Sequence, residues 1–453
     1  MARDQRHLRR GKNPGRNSGR NSGRSSGDSS GDRKPSNYKP QEKVFETIEI
    51  AELGRRGDGI ATLENGDKRF VPYTLAGEMV KTARSGDRSE IVSIETPSPD
   101  RIDPLCPHFA SCGGCAVQHA APSLYQIWKR GIVETALANK GLSTEVDPLI
   151  DAHGKGRRRV TFHAKREKNE IQAGLMKYRS HRILDLDACP ILTPALAAGL
   201  DIARAFAGFV PSRSKPLDIQ LTATDNGIDC NVRGSSAEGS DLFTEIAALA
   251  RAQELSRVTF GRDIVLERNA PTISVGDIKV TLPPASFLQA TEDGENVLAS
   301  LVLEHLEEAT HIADLFCGIG PFALRLAKHA SIAAFDNDAP AITALTKTYN
   351  HVQGLKPLTA HVRDLNEDPL LPQELNKFDA AVFDPPRAGA AAQVEQLAAS
   401  TIKTIVAVSC DPATFAKDAA ALVQAGFALQ CVTPIDQFKY TAHVELVALF
   451  ERK

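Results

Sequence analysis

The chain is 453 residues long, 42% hydrophobic and 24% charged, with eight cysteines and a formal net charge of -2 at neutral pH. That length exceeds one ordinary core and predicts two or three domains. Eight scattered and clustered cysteines do not make a disulfide scaffold, no apolar run nears the roughly 18 to 20 residues of a membrane span, and the N-terminus lacks a signal-peptide core, so a cytoplasmic monomer without membrane contact is expected.

The net charge hides an asymmetry. Residues 1–40 hold 11 Lys and Arg against 3 Asp, a net charge of +8, which leaves -10 on the rest. Their stretch "GRNSGRNSGRSSGDSSGD" has almost no apolar residues to offset the entropy of ordering. Residues 1–40 therefore read as a disordered basic Gly/Ser/Arg-rich tail, suited to polyanion contact or to plain solubility. Residues 41–100 alternate short β-type runs with turns, as in "VFETIEIAEL", "GRRGDGIATL" and "KRFVPYTL", and predict a small OB-like β-barrel. Basic loop residues Arg55, Arg56 and Lys68 would let such a barrel hold nucleic acid.

Residues 101–285 form an expected central α+β domain. It carries Cys106, Cys112 and Cys115 in "CPHFASCGGC" and Cys189 in "DACPIL". Four thiolates in polar, Gly-rich loops suit a zinc ion or an iron-sulfur cluster, and spacing does not choose between them. Between them lies "GKGRRRVTFHAKREK", whose Lys155, Arg157, Arg158, Arg159, Lys165, Arg166 and Lys168 would line a phosphate-facing groove on an alternating strand. A solvated edge strand is the plainer alternative.

Residues 286–453 alternate strand and helix patterns. The strand candidates are "HIADLFC", "ASIAAFD", "PLTAHVRD", "FDAAVFDPP", "TIVAVSC", "FALQCVTP" and "AHVELVALF". This alternation predicts an α/β, doubly wound, Rossmann-like sheet. The last two candidates are separated by "IDQFKYT", too short for a crossover helix, so they should run antiparallel.

Several residues fall on the carboxyl rim of that sheet, where open α/β sheets bind ligands. "DLFCGIGPF" places Gly318 and Gly320 in a strand-to-helix turn, and Asp336 lies 22 residues after Asp314, where an acid can accept from ribose hydroxyls. Position 323 is Ala, so the full GxGxxG is missing and an adenosine cofactor without a pyrophosphate fits better than NAD. "FDPPR" sets Asp384 at a strand end, and Arg387 stands where amino-group methyltransferases often have an aromatic residue, which argues against N-methylation. Cys410 ends the next strand and is a candidate nucleophile, with a plain core cysteine as the alternative. Glu445 is an acid within an apolar run, for which a solvent-facing position is the plain reading and a buried base the chemical one.

Together these motifs resemble the RNA uridine-5 methyltransferase family, from about Val44 to Phe450. The resemblance implies a TRAM domain for the barrel and a [4Fe-4S] cluster held by Cys106, Cys112, Cys115 and Cys189. It implies S-adenosylmethionine contacts from Gln289 in "SFLQA", Phe316, Asp336 and Asp384, with Cys410 as nucleophile and Glu445 as base. Pro321 replaces an asparagine frequent in relatives, and Asp336 replaces a glutamate, changes that bear on cofactor affinity more than on reaction type. Uracil C5 is a poor nucleophile, so a thiolate first adds to C6; the resulting enolate takes the methyl group, and a base then removes the C5 proton and releases the thiolate. The extra domains resemble those of the branch that modifies 23S ribosomal RNA, which makes 23S rRNA the expected partner. The T-loop of tRNA and an idle RNA-binding role are the alternatives.

Overall fold

The computed structural model describes residues 43–452, apart from 86–87, 213–214 and 236–238. The expected tail of residues 1–40 lies outside the described residues.

Period-two alternation in the first hundred residues produces two short antiparallel sheets. One contains Val44–Glu49, Met79–Ser85 and Arg88–Thr96, the other Glu52–Leu53, Asp58–Thr62 and Lys68–Pro72. Both contribute to one small core of Ile48, Ile50, Ala61, Val71 and Val80.

A seven-stranded sheet follows, in the order Ile183–Asp185, Glu170–Met176, Arg159–Glu167, Leu217–Thr224, Gly227–Arg233, Leu255–Phe260 and Asp263–Glu267. Its core includes Phe162, Ile219 and Val258, with Phe206 of the helix Gly199–Phe209 and Ile246 of the helix Phe243–Ala252.

The C-terminal sheet has eight strands, in the order Leu358–Val362, Ser331–Asp336, His311–Leu315, Ala380–Phe383, Thr404–Ser409, Glu445–Arg452, Phe427–Asp436 and Ile150–Asp151. The first five are parallel, and Glu445–Arg452 runs antiparallel to both neighbours, as the short connection required. Alternate residues of each strand feed opposite layers. Ala313, Phe383, Ile405 and Phe450 pack with Leu397 and Phe415 on one side, whereas Ile312, Val382, Val406 and Val447 pack with Leu298 and Leu345 on the other. Helices on both faces of a mainly parallel sheet make a doubly wound α/β fold.

Three stretches expected in the central region pack on this sheet instead. The helix Pro122–Ala138 buries Tyr125, Trp128, Ile132 and Val133, an i, i+3, i+7, i+8 stripe, in the first of these layers. Ile150–Asp151 adds a parallel edge strand beside Ile435 and Asp436, and the hairpin of Thr272–Val275 and Ile278–Thr281 joins the second layer. An apolar stripe announces that a partner exists without saying which. Among the described residues, no helix is long and apolar enough to cross a membrane.

Candidate active site

The turn after His311–Leu315 is closed by the next strand. Asp336 Oδ2 accepts from the Gly318 backbone N–H at 2.8 Å and Oδ1 from that of Asp338 at 2.8 Å. Each oxygen keeps a further lone pair for a ligand hydroxyl. Gly320 has φ 86°, and a Cβ there would stand 2.5 Å from Leu345 Cδ1, so glycine is required. Phe316 also has positive φ, 62°, an uncommon conformation for an aromatic residue that costs about 1–3 kcal/mol and is typical of functional turns.

Asp384 lies just beyond Ala380–Phe383, half-buried. Gln289 Nε2 donates to its Oδ2 at 3.0 Å, and Gln289 Oε1 accepts from Gln437 Nε2 at 2.7 Å. Burial, with the charge of Asp336 adding, pushes the Asp384 carboxyl up to about 7 against the opposing Gln289 bond. Asp314, which served in the sequence only to count spacing, is fully buried, and burial holds it well above the usual carboxylate range with Asp384 and Asp336 reinforcing.

Cys410 follows Thr404–Ser409 and precedes the helix Pro412–Gln424. Asp411 caps that helix, its Oδ1 accepting from Ala413 N–H at 2.8 Å and Thr414 N–H at 3.3 Å, and this fixes the chain immediately after the thiol. Strands Thr404–Ser409 and Glu445–Arg452 are paired with Ser409 opposite Leu446, so the next step of the register sets Cys410 beside Glu445. Glu445 is buried, which removes the solvent-facing reading. Burial, then the charge of Asp384, pushes it up to about 8, with Gln437 and Arg387 opposing. Burial, then Glu445 and Asp384, pushes the Cys410 thiol up to about 11, opposed by the charge and N–H groups of Arg387.

Gln289, Phe316, Asp336, Asp384, Cys410 and Glu445 thus line one cavity of about 620 Å³. Arg387 and Phe438 also border a second, more basic cleft of about 450 Å³ with Arg56, Arg157, Arg179 and His443. The basic stretch divides between surface and interior. Arg157 reaches the cleft, but Arg158 is buried, its Nη2 paired with Glu295 Oε2 at 2.6 Å and its Nε donating to the Gln289 carbonyl at 3.1 Å. Arg159 lies over the Phe287 ring at 5.9 Å, and Lys165 pairs with Glu167. Arg158 therefore does not belong to the expected phosphate-facing groove, because the buried Glu295 carboxylate draws it inward.

Among the described residues all eight cysteines are free thiols. Cys106, Cys112, Cys115 and Cys189 line one narrow cavity of about 20 Å³. Burial and mutual repulsion push Cys115 up to about 12, and burial, with Cys112 and Cys106, pushes Cys189 up to about 11. Thiols gathered so that the deprotonation of Cys112, Cys115 and Cys189 is opposed fit a group that brings positive charge. Among the described residues no group of three or more His, Cys, Asp or Glu side chains is arranged to hold a single metal ion.

Sequence reasoning gave no role to Gln437 or His443 and saw Arg387 only as evidence against N-methylation. Their signal was position: Arg387 stands three residues after Asp384 and His443 two before Glu445.

Residues 360–453 match the family model described as tRNA (Uracil-5-)-methyltransferase. An uncharacterized RNA methyltransferase of Brucella suis is 41% identical over 89% of this chain and 97% of its own, and one of Rhizobium meliloti is 42% identical over 90% and 99%. The crystal structure of Pyrococcus abyssi tRNA (uracil-54, C5)-methyltransferase in complex with S-adenosyl-L-homocysteine superposes with a TM-score of 0.69, covering 89% of this chain and 99% of that one at 22% identity, and shares the fold. With a relative of more than 40% identity aligned almost end to end, the chain belongs to the RNA uracil-5-methyltransferase family and is an S-adenosylmethionine-dependent RNA methyltransferase.

Proposed function

We propose that the protein converts a uridine of 23S rRNA to 5-methyluridine, with Cys410 adding to C6 of the base and Glu445 removing the C5 proton. The observation that carries this reading is a thiol just past the end of one strand and a buried carboxyl of raised pKa at the start of the strand paired with it, both lining one cavity. The thiolate forms the S–C6 bond and the electron pair moves into the C5–C4–O4 enolate. Bound cofactor supplies the electrophilic methyl group, through its sulfonium. Glu445 then takes the C5 proton, the C5=C6 bond reforms and the S–C6 bond breaks, returning Cys410. Gln289, Phe316, Asp336 and Asp384 would hold the cofactor, the Asp336 carboxylate supplying acceptors for its ribose hydroxyls.

The second reading is the same chemistry on a T-loop uridine of tRNA. It is favoured by the Pyrococcus abyssi enzyme, which acts on tRNA and spans 89% of this chain, so an extended N-terminal region does not by itself mark an rRNA enzyme. In either case a target uridine must leave its stack to meet Cys410, and the TRAM-like N-terminal β domain and the basic cleft grip the RNA around it.

Cys106, Cys112, Cys115 and Cys189 would hold a [4Fe-4S] cluster, zinc being the lesser candidate, in a structural or RNA-positioning role. The test is methyl transfer to 23S rRNA fragments and to tRNA transcripts, followed by nucleoside identification. 5-Methyluridine in one rRNA fragment supports the first reading, and in tRNA alone the second. A product other than 5-methyluridine would overturn both.

A further inference from the structure

The Arg387 guanidinium has two partners on the rim. Its Nη2 lies 3.3 Å from Nε2 of His443, and its charge and N–H groups act on the Cys410 thiol. We propose that His443 is a positioning residue, whose Nε2 accepts a hydrogen bond from Arg387 and holds that guanidinium against Cys410. The inference rests on the reading of Cys410 as the nucleophile.

A guanidinium has only donors, so Nε2 must present a lone pair, which requires a neutral ring with its proton on Nδ1. His443 faces the open cleft, yet burial and the positive charges of Arg387, Lys129 and Arg157 hold its imidazole down at about 4, with Asp411 the opposing charge. It is therefore neutral throughout the working range. A neutral acceptor matters here. Glu445 and Asp384 also lie near the thiol, and a carboxylate pairing with Arg387 would cancel the charge that opposes the upward shift of Cys410. The imidazole fixes the arginine and leaves its charge intact.

The backbone of His443 is anchored, and its ring has one packing partner. The His443 N–H donates to Thr441 Oγ1 at 3.2 Å, its carbonyl accepts from Lys129 Nζ, and its ring meets Phe438 edge-on at 5.9 Å. Lys129 is wholly buried and paired with Asp436 at 2.9 Å, so the loop from Phe438 to His443 hangs from an interior ion pair. Arg387, an exposed side chain with many rotamers, thereby gains one fixed acceptor on a rigid support.

The test reads Cys410 directly, without RNA. Full-length wild type, His443→Ala, His443→Gln, Arg387→Ala and the His443→Ala/Arg387→Ala double variant are treated with iodoacetamide across a pH series. Alkylation of the Cys410 peptide is followed by mass spectrometry. Below the midpoint, His443→Ala is expected to slow alkylation about 3- to 10-fold, a midpoint rise of up to about one unit. His443→Gln, whose amide oxygen can replace Nε2, should stay within about 2-fold of wild type, and the double variant should match Arg387→Ala alone. Should His443→Ala unfold, His443→Leu, which keeps the packing on Phe438, takes its place. A His443→Ala or His443→Leu profile coinciding with wild type, or a double variant slower than Arg387→Ala, would overturn the proposal. If the profiles move as expected while Cys410→Ala still methylates RNA, the positioning role stands and the covalent reading falls. If Cys410→Ala is inactive and the profiles do not move, the reverse holds.

Discussion

Cys410 and Glu445 are cross-strand neighbours, one register step beyond the Ser409 and Leu446 pair, at the rim where the antiparallel strand enters the sheet. Because Glu445–Arg452 runs antiparallel to Thr404–Ser409, it is the first residue of that strand, and not its last, that lies on the rim with the thiol. Glu445→Gln is expected to lower turnover by about 10²- to 10⁴-fold, as for loss of a general base, and to retain methylated RNA covalently on Cys410. Denaturing gels of the variant with unmodified RNA and labelled cofactor show this directly. Lost turnover with no retained RNA would remove Glu445 from the elimination step.

Activity should rise with pH. Glu445 and Cys410 act in their ionised forms, and their carboxyl and thiol are pushed up to about 8 and about 11. kcat/KM is therefore expected to climb through about pH 8, with no optimum on the acid side of neutrality. A bell centred below neutral pH would contradict these assignments.

Stability should move in the opposite direction. Asp384 and Glu445 are pushed up to about 7 and about 8 in the folded protein, above their unfolded values. The folded state keeps protons that the unfolded chain has lost, so the stabilisation is full below the unfolded values of roughly 4 and is lost as pH rises through the folded ones. The thermal midpoint of cofactor-free protein should fall between about pH 5 and pH 9, and less steeply in Glu445→Gln. A midpoint that rises over this range in wild type would show the carboxyls to be unshifted.

The buried Lys129 and Asp436 pair, with Tyr125 Oη donating to Asp436 Oδ2 at 2.7 Å, supports the loop that carries Phe438 and His443. Lys129→Met leaves Asp436 buried without its cation and should cost about 3–5 kcal/mol in denaturant unfolding. Adding Asp436→Leu should recover a large part of that loss. No recovery would mean that the lysine acts through its stem rather than its charge.

Replacing Cys112 with Ser is expected to abolish the visible absorption of a thiolate-ligated iron-sulfur group in anaerobically purified protein, and to lower the thermal midpoint or RNA affinity. Zinc in place of iron and sulfide in the wild-type protein would change the occupant. An unaltered midpoint and unaltered RNA affinity in Cys112→Ser would remove the structural role.

The C-terminal sheet was legible because its strands are short apolar runs bounded by turn residues, and because seven residues between the last two left no room for a crossover. The rim residues Cys410 and Asp384 were legible for the same reason, since a strand end is a place in the sequence. Burial was not. One acid in "HVELVALF" reads alike on either face, and only the pairing with Thr404–Ser409 shows Glu445 to be inside. Long-range partners were equally hidden: Glu295 lies 137 residues from Arg158, and Asp436 lies 307 from Lys129. A basic residue that makes a phosphate contact and one that satisfies a buried carboxylate look the same until the fold brings the carboxylate to it.

The most direct measurement of the covalent mechanism mixes the protein and S-adenosylmethionine with 5-fluorouridine-substituted 23S rRNA fragments and tRNA transcripts, and looks for a complex on denaturing gels. Fluorine at C5 cannot leave as a proton, so the S–C6 bond should persist. The expected result is one RNA–protein adduct formed with an rRNA fragment, present in wild type and absent in Cys410→Ala. An adduct that survives in Cys410→Ala, or no adduct with any RNA from protein that binds the cofactor, would contradict nucleophilic attack by Cys410.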